Sequence, residues 1–332
     1  MPRISTKLIN EAFRINPLLP LLLPECRTIT NSRQEYIWIR DELSLTSKSP
    51  YDLYRKLRAA CKQRFHHIPL QYILKTQPFG SLEIHCARNV LIPRWETEEW
   101  VIRLIKCLKS SEFDKLKKKN LKILDVCTGS GCVALLLKYE LSKIFKKSQE
   151  NDNVDVKAFD ISPYALALAK KNRSLAAINE TIDIDIEECD IMHPELQLSD
   201  LYSEKIDILT CNPPYIPNSQ FTKDVSRSVK LFEPKLALLG DKEFYTNLIE
   251  KWLHHINSFV YEVGDVDQAN YVKNSITNEP NLRNEWKIGQ ITDSNDKIRV
   301  VYGYRSNGSD TQYDMDSLFK NFGSIIYDPG NI

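Results

Sequence analysis

The fold class follows from the segment "LKILDVCTGSGCVALLLKYELSKIF", residues 121–145. Its first residues, "LKILDVC", are apolar enough for a buried strand, and "GCVALLLKYELSKIF" has the apolar spacing of a helix. A glycine-rich turn joins the two. A strand that turns directly into a helix is the repeating unit of a doubly wound parallel sheet.

The same alternation continues downstream. Residues 154–160 predict a second strand and residues 162–177 a second helix. Two further strands are predicted at 206–211 and 258–263, and residues 285–305 predict two antiparallel strands joined by an Asp-Ser-Asn-Asp turn. We therefore predict an α/β fold built on a doubly wound sheet.

The rest of the chain divides by composition. Residues 1–75 carry spaced apolar residues behind capping serines and predict a small helical domain. Residues 76–92 alternate and contain a glycine, which predicts a hairpin that links this domain to an α/β domain at 93–305. Residues 306–332 are polar and aperiodic, so we expect a flexible tail.

The first sixteen residues fit two interpretations equally well. Arg3, Lys7 and Arg14 outnumber the one acidic residue, Glu11, and apolar residues recur at helical spacing, as in a mitochondrial transit peptide. The same spacing suits an ordinary first helix of the small domain.

Composition argues against several classes of protein. The net charge of +1 gives no global field that would attract nucleic acid or an anionic membrane, and no stretch is long enough to span a bilayer. The eight cysteines contain no Cys-x-x-Cys pair, which indicates reduced thiols and no metal site. We expect no direct nucleic-acid binding, and we expect a monomer.

The turn in "LDVCTGSGC", residues 124–132, is a candidate ligand site. Gly129 and Gly131 permit a tight turn and let a ligand approach backbone N–H groups. Asp125, at the strand end, can accept from a ligand amine. Such a turn also suits dinucleotide or phosphate binding, or a purely structural role, although the Gly-Lys-Ser/Thr ending of a P-loop is missing.

Two carboxylates follow later strands. Asp160 stands where the carboxylate of a doubly wound sheet accepts from a ribose diol, and a plain helix cap is its alternative role. Its distance of 29 residues from Gly131 exceeds the usual spacing of about 20, and the insertion "KKSQENDN" accounts for the excess. Asp190, in "EECDI", can flank an adenine ring.

The tetrad "NPPY", residues 212–215, ends an apolar strand at the edge where open parallel sheets bind ligands. Asn212 offers a side-chain carbonyl, Pro213 and Pro214 fix the backbone so that carbonyls also face the pocket, and Tyr215 offers a flat face. Acceptors alone can grip a planar –NH₂ group and stabilise the positive charge that develops when its nitrogen is methylated.

Together these motifs resemble an S-adenosylmethionine-dependent amino-methyltransferase, and the flanking segments resemble the HemK/PrmC family of release-factor glutamine methyltransferases. The resemblance spans residues 68–305 in the family's order and, through "CRTITNSRQEYIWIRDEL" and "IPRWETEEW", is greatest to the fungal mitochondrial branch. The segments that carry it are "IPLQYIL" (68–74), "VLIPRWETEEWV" (90–101), "LFEPKLALLG" (231–240), "YEVGDVDQ" (261–268) and "KIRVVYGYR" (297–305).

The resemblance implies a seven-stranded methyltransferase sheet behind a helical domain that docks the substrate. That substrate would be a mitochondrial peptide chain release factor, methylated on the glutamine amide of its Gly-Gly-Gln loop, with S-adenosylmethionine as donor. The residues expected to hold the donor are Asp125, Cys127, Thr128, Gly129, Ser130, Gly131, Asp160 and Asp190. Asn212, Pro213, Pro214 and Tyr215 are expected to hold the glutamine, with Asn212 near the methyl group as well.

Two positions depart from the family's pattern. Cys127 replaces the first glycine of Gly-Thr-Gly-Ser-Gly, and its side chain either crowds the cofactor or points into the sheet. In the second case we expect Cys127→Gly to lower stability modestly through backbone entropy. Trp95 replaces a proline and can change how its loop meets the donor. Glu262 and Gln268 keep the family's residue types, and we expect Glu262 to be structural.

Other functions remain open from the sequence. An adenine amino-methyltransferase acting on DNA or RNA would use the same tetrad, although the charge balance offers no basic recognition region. A non-catalytic mitochondrial assembly factor on a methyltransferase scaffold is compatible with Cys127. A nicotinamide oxidoreductase would explain the glycine-rich turn but not the tetrad.

Overall fold

Five helices precede the first strand in a computed structural model that describes residues 3–110, 120–145, 154–176, 182–196, 205–305 and 313–331. Serine or threonine side chains cap the first, third and fourth helix by accepting from a backbone N–H in the first turn. The helices are α1 (Thr6–Ile15), α2 (Leu19–Cys26), α3 (Ile29–Thr46), α4 (Pro50–Phe65) and α5 (Leu70–Leu74).

Apolar side chains from these helices form one core. Ala12 of α1 is fully buried there, and Ile4 and Leu8 pack against it. The residues that match a transit-peptide pattern therefore also supply side chains to a folded core.

The predicted hairpin follows as β1 (Thr76–Phe79) and β2 (Leu82–His85), paired antiparallel. The remaining described strands form one sheet of eight, in the order β10-β8-β9-β7-β6-β3-β4-β5. β3 to β7 pair in parallel, whereas the pairs that involve β8, β9 or β10 are antiparallel. The eight are β3 (Leu121–Val126), β4 (Val154–Asp160), β5 (Asp185–Glu188), β6 (Ile208–Cys211), β7 (Ser258–Glu262), β8 (Trp286–Thr292), β9 (Ile298–Arg305) and β10 (Ser324–Tyr327).

Helices cover both faces of this sheet. Successive residues of a strand point to opposite faces, so the buried strands supply apolar side chains to a core on each side. Ile123 belongs to the core on one side and Leu124 to the core on the other. No helix in the described ranges is long and apolar enough to cross a membrane. The helices are α6 (Trp95–Leu108), α7 (Cys132–Phe145), α8 (Pro163–Ala176), α9 (Asn218–Asp224), α10 (Arg227–Phe232), α11 (Glu243–Asn247), α12 (Val266–Asn278) and α13 (Met315–Phe319). A π-helical turn at Leu248–Trp252 and 3₁₀ turns at Lys235–Ala237 and Pro329–Asn331 complete them.

The C-terminal segment differs from the flexible tail that we expected. Residues 306–312 lie outside the described ranges, but residues 313–331 form α13 and β10, and β10 pairs with β8. Met315, Phe319 and Phe322 are buried. These elements are too short to show periodicity in a polar sequence. They also supply the strand beyond the seven predicted.

Candidate active site

A cleft opens at the carboxyl ends of the parallel strands. It is lined by the turns that follow β3 to β6 and by residues just before α6. The predicted site residues in its lining are Asp125, Cys127, Thr128, Gly129, Ser130, Asp160, Asp190, Asn212 and Pro214. Gly131, Pro213 and Tyr215 are near it in sequence but are not part of the lining.

The glycine-rich turn needs its glycines for two reasons. Gly129 and Gly131 both have left-handed backbones, with φ of 58° and 81°. A Cβ on Gly131 would also lie 3.1 Å from the Cβ of Ala169 in α8. The N–H of Gly129 donates to Asp160 Oδ2 at 2.8 Å, which ties the turn to the end of β4.

Cys127 also has a left-handed backbone, with φ of 57°. This conformation costs a residue with a Cβ about 1–2 kcal/mol, which explains why glycine is the usual residue here. The side chain packs against the core below the sheet end and also lines the cleft, and its thiol lies beside the buried thiol of Cys211. The side chain therefore lies at the end of the sheet, and whether it crowds the cofactor stays a prediction. With this backbone we expect Cys127→Gly to gain stability rather than lose it, because glycine would relieve the strain.

Asp125 connects the turn to β6. Its Oδ2 accepts from the hydroxyl of Thr128 at 2.6 Å and its Oδ1 from the hydroxyl of Thr210 at 2.7 Å. Burial raises the pKa of Asp125 to about 7; the two threonine hydroxyls oppose this increase, and the charge of Asp160 adds to it. A contact between Asp125 and a ligand amine stays a prediction.

Asp160 holds two backbone N–H groups. Its Oδ1 accepts from Ser162 and its Oδ2 from Gly129, each at 2.8 Å. Ser162 in turn accepts from the N–H of Ala165 at 3.4 Å, so Ser162 rather than Asp160 caps α8. Burial raises the pKa of Asp160, while the two backbone donors lower it. The insertion at 146–153 that we invoked for its spacing lies outside the described residues.

The orientation of the Asn212 side chain is fixed by Thr97, a residue that the sequence did not single out. The Thr97 hydroxyl donates its one hydrogen to Glu262 Oε2 at 2.6 Å. It must therefore accept from Asn212, whose Nδ2 lies 3.1 Å away. This arrangement leaves the Oδ1 of Asn212 as the acceptor that the cleft can use.

Glu262 organises this wall of the site from below. It is fully buried, and besides Thr97 it accepts from Trp100 Nε1 and from the Tyr215 hydroxyl, both at 3.1 Å. Burial raises the pKa of Glu262, and the three donors lower it. These contacts agree with the structural role expected of Glu262. The Tyr215 hydroxyl is anchored to this carboxylate and Tyr215 is not part of the cleft lining, so a contact between its ring and the ligand stays a prediction.

Further contacts hold the tetrad and the residues just before α6. Gln268 Nε2 donates to the Tyr215 carbonyl at 2.9 Å. Glu233 accepts two bonds from Arg94 Nη2, at 2.8 and 2.9 Å, and one from the N–H of Ile92 at 3.1 Å. Glu233 and Gln268 lie in the quoted motifs, but a motif carries no information about which residues meet.

Trp95 does not enter the cleft. It is the first residue of α6, a position that favours proline, and its side chain is 46% exposed. The expected effect of Trp95 on the methyl donor therefore has no direct contact to support it.

The residues of the cleft fit an adenosyl ligand. Each oxygen of Asp160 has a second lone pair, so the carboxylate can still accept from a ribose diol. Asp190, which holds the N–H of Met192 at 2.9 Å, borders the cleft together with the apolar side chains of Ile161 and Met192. These groups offer the apolar surface and the polar acceptor that a planar ring with a polar edge would need.

Several known proteins are similar in sequence to most of this chain. A family model described as a methyltransferase domain matches residues 117–313. The chain is 44% identical to the mitochondrial MRF1 N(5)-glutamine methyltransferase MTQ1 of Saccharomyces cerevisiae, over 98% of this chain and 95% of that one. It is 36% identical to a probable MRF1 mitochondrial N(5)-glutamine methyltransferase of Schizosaccharomyces pombe, over 91% and 96%. It is 31% identical to a release factor glutamine methyltransferase of Clostridium acetobutylicum, over 74% and 80%.

Proposed function

The chain belongs to the release factor glutamine methyltransferases, and from this membership we propose that it methylates a mitochondrial peptide chain release factor. The acceptor is the side-chain amide of the glutamine in the Gly-Gly-Gln loop, and the methyl donor is S-adenosylmethionine. The names of these relatives argue against an adenine amino-methyltransferase, because they specify glutamine as the methylated residue.

The orientation of Asn212 is the observation that supports this chemistry. A primary amide presents two N–H groups in one plane and has a weakly nucleophilic nitrogen, because its lone pair is delocalised. The Oδ1 of Asn212 can accept from one of those N–H groups, since its own Nδ2 is engaged by Thr97. An acceptor fixed in this way stabilises the positive charge that develops on nitrogen during methylation.

The remaining residues act by holding the methyl donor and the acceptor amide in position. S-adenosylmethionine, when bound, supplies an electrophilic methyl group on a sulfonium. Asp160 would hold the ribose and the turn at 127–131 the rest of the donor. The backbone carbonyl of Pro213, which is next to Asn212 in sequence but outside the cleft lining, would be the second acceptor for the amide. Holding the nitrogen in line with the methyl group supplies much of the remaining acceleration.

The names of the relatives support a location for this enzyme. Two of them are named mitochondrial, so we place this enzyme in the mitochondrion. We further propose that it acts as a monomer and contacts the release factor without binding nucleic acid directly.

Mass spectrometry of the mitochondrial release factor after incubation with enzyme and S-adenosylmethionine tests the proposal. We expect one added methyl group on the Gly-Gly-Gln glutamine. The matched control is Asn212→Ala, which removes the acceptor and leaves the Glu262 network in place. Its single-turnover rate should fall on the order of a hundred- to a thousandfold.

Two results would contradict the proposal. An unmodified release factor, with methylated adenine in added RNA, would identify a nucleic-acid enzyme. A near-normal rate in Asn212→Ala would show that the tetrad is a structural turn.

A further inference from the structure

A second cleft lies between the helical domain and the segment that follows the tetrad. The helical domain contributes Ile4 and Pro24 to its lining, and the segment contributes Val225. The other lining residues are basic or titratable; we call them the basic cleft, and they are Arg3, Arg27, His67, Lys223, Arg227 and Lys230. The cations come from parts of the sequence that are far apart and meet because of the fold.

The two walls of the basic cleft are joined by a hydrogen bond. Ser228 Oγ of α10 donates to the backbone carbonyl of His67 at 2.7 Å, and Ser228 is buried. Lys230 Nζ donates to the carbonyl of Thr222 at 2.8 Å, which holds α10 against α9. The spacing of the charges is therefore set by the fold and does not depend on flexible side chains alone.

Four residues of the basic cleft form no ion pair within the described part of the chain. Glu25 pairs with His67 and also with Arg64 outside the cleft. Within the described ranges, no ion pair joins Arg3, Lys223, Arg227 or Lys230 to an acidic side chain. In a chain whose net charge is +1, such a concentration of one sign favours an anionic partner.

We propose that the basic cleft binds an acidic segment of the release factor while its glutamine occupies the active-site cleft. This inference rests on the proposed function. The same segment, 216–240, forms part of both clefts, since Pro234, Leu236 and Ala237 line the active-site cleft. A stable protein interface buries about 800 Å² per partner, far more than one glutamine side chain offers. The release factor therefore has to contact surface beyond the active-site cleft, and the basic cleft is a neighbouring surface that it can reach.

The lining favours a protein partner over RNA. Proteins that hold single-stranded nucleic acid add aromatic side chains on which bases stack. No Phe, Tyr or Trp belongs to the described lining of the basic cleft. The basic residues of this lining belong to a single cleft, which suits a short acidic segment.

The test is the double charge reversal Lys223→Glu/Arg227→Glu. Both side chains are exposed, and neither lines the active-site cleft, so the fold and the chemistry should be kept. We expect KM for the full-length release factor to rise about tenfold, with kcat and the Kd for S-adenosylmethionine unchanged and a weaker dependence of KM on salt. The matched control, Lys170→Glu/Lys171→Glu on α8, reverses two exposed charges elsewhere and should leave KM within twofold.

The possible outcomes separate the two proposals. If the wild type does not methylate the release factor, the proposed function fails. If it does, and KM of the double variant stays within twofold, the basic cleft is not the docking site. An unchanged KM together with loss of binding to a fluorescent single-stranded RNA would assign the cleft to nucleic acid instead.

Discussion

Gly240 lies so close to Pro214 that a Cβ on Gly240 would be 2.2 Å from the Pro214 carbonyl oxygen. The contact is backbone against backbone, so no flexible side chain can move away. The segment at 231–240 therefore supports the tetrad from behind, and glycine is required there for its size.

Gly240→Ala should displace the Pro214 carbonyl and with it the neighbouring Asn212. We expect kcat to fall by tenfold or more, because small misplacements of a positioning group cost large factors in rate. Single-turnover rates at saturating donor would measure the effect. Gly330→Ala, where the added Cβ would meet a side-chain oxygen at 3.3 Å, is the control. Equal rates in both variants would show that the contact is absorbed without consequence.

Thr97→Val removes the hydroxyl that orients Asn212 and keeps the shape of the side chain. The amide can then turn, and Glu262 loses one of three donors. A lost hydrogen bond costs about 1–1.5 kcal/mol, so kcat should fall about tenfold. Thr97→Ser keeps the hydroxyl and should restore most of the rate. The orienting role would be refuted by a serine variant as slow as the valine variant.

Asp160→Asn tests the ribose contact. A hydrogen bond to a charged acceptor contributes roughly 1.5–3 kcal/mol. Calorimetry should therefore show S-adenosylmethionine binding at least tenfold more weakly. Asp185→Asn, an exposed carboxylate on β5, serves as control. Unchanged affinity in a folded Asp160→Asn protein would remove Asp160 from the donor site.

Asp125 should make stability depend on pH. Its folded pKa of about 7 lies above the unfolded value of about 3.9. Between these values the folded state binds the extra proton, so this contribution to stability is complete below about pH 4 and is lost as pH rises through about 7. Asp125→Asn cannot titrate and should lack this decrease. Tm measured from pH 4 to 8 without donor compares the two proteins, and parallel curves would contradict the assignment.

Cys127→Gly should raise the free energy of unfolding by about 1 kcal/mol, because glycine adopts the left-handed backbone without strain. Cys127→Ala keeps the Cβ and therefore the strain, and it removes the thiol beside Cys211. Urea unfolding of the three proteins separates the two effects. If the alanine variant gained as much stability as the glycine variant, the thiol rather than the backbone would be the source of the cost.

Sequence alone located four of the five parallel strands, and most of the predicted site residues lie in the cleft lining at the strand ends. β3, β4, β6 and β7 are short apolar runs followed by a polar residue or a turn, so their positions could be read directly. β5 was not predicted, because only one of its four residues is buried and the apolar alternation of a strand is therefore absent.

The contacts that position the site could not be predicted in this way. Asn212 meets Thr97 across 115 residues of sequence, and Arg94 meets Glu233 across 139. Nothing local to either residue encodes its partner, because the pairing depends on how α6 lies against the strand ends. The left-handed backbone of Cys127 could not be predicted either, because a cysteine in the sequence does not indicate a positive φ.

The strand β10 has a consequence for how these molecules behave in a crowded solution. A sheet that ended at β8 would present seven residues of open backbone to any other chain. β10 occupies that edge with four residues and breaks the register between Ile325 and Tyr327. A short and irregular border is a poor template for a further strand, so the C-terminal segment protects the enzyme from self-association and aggregation.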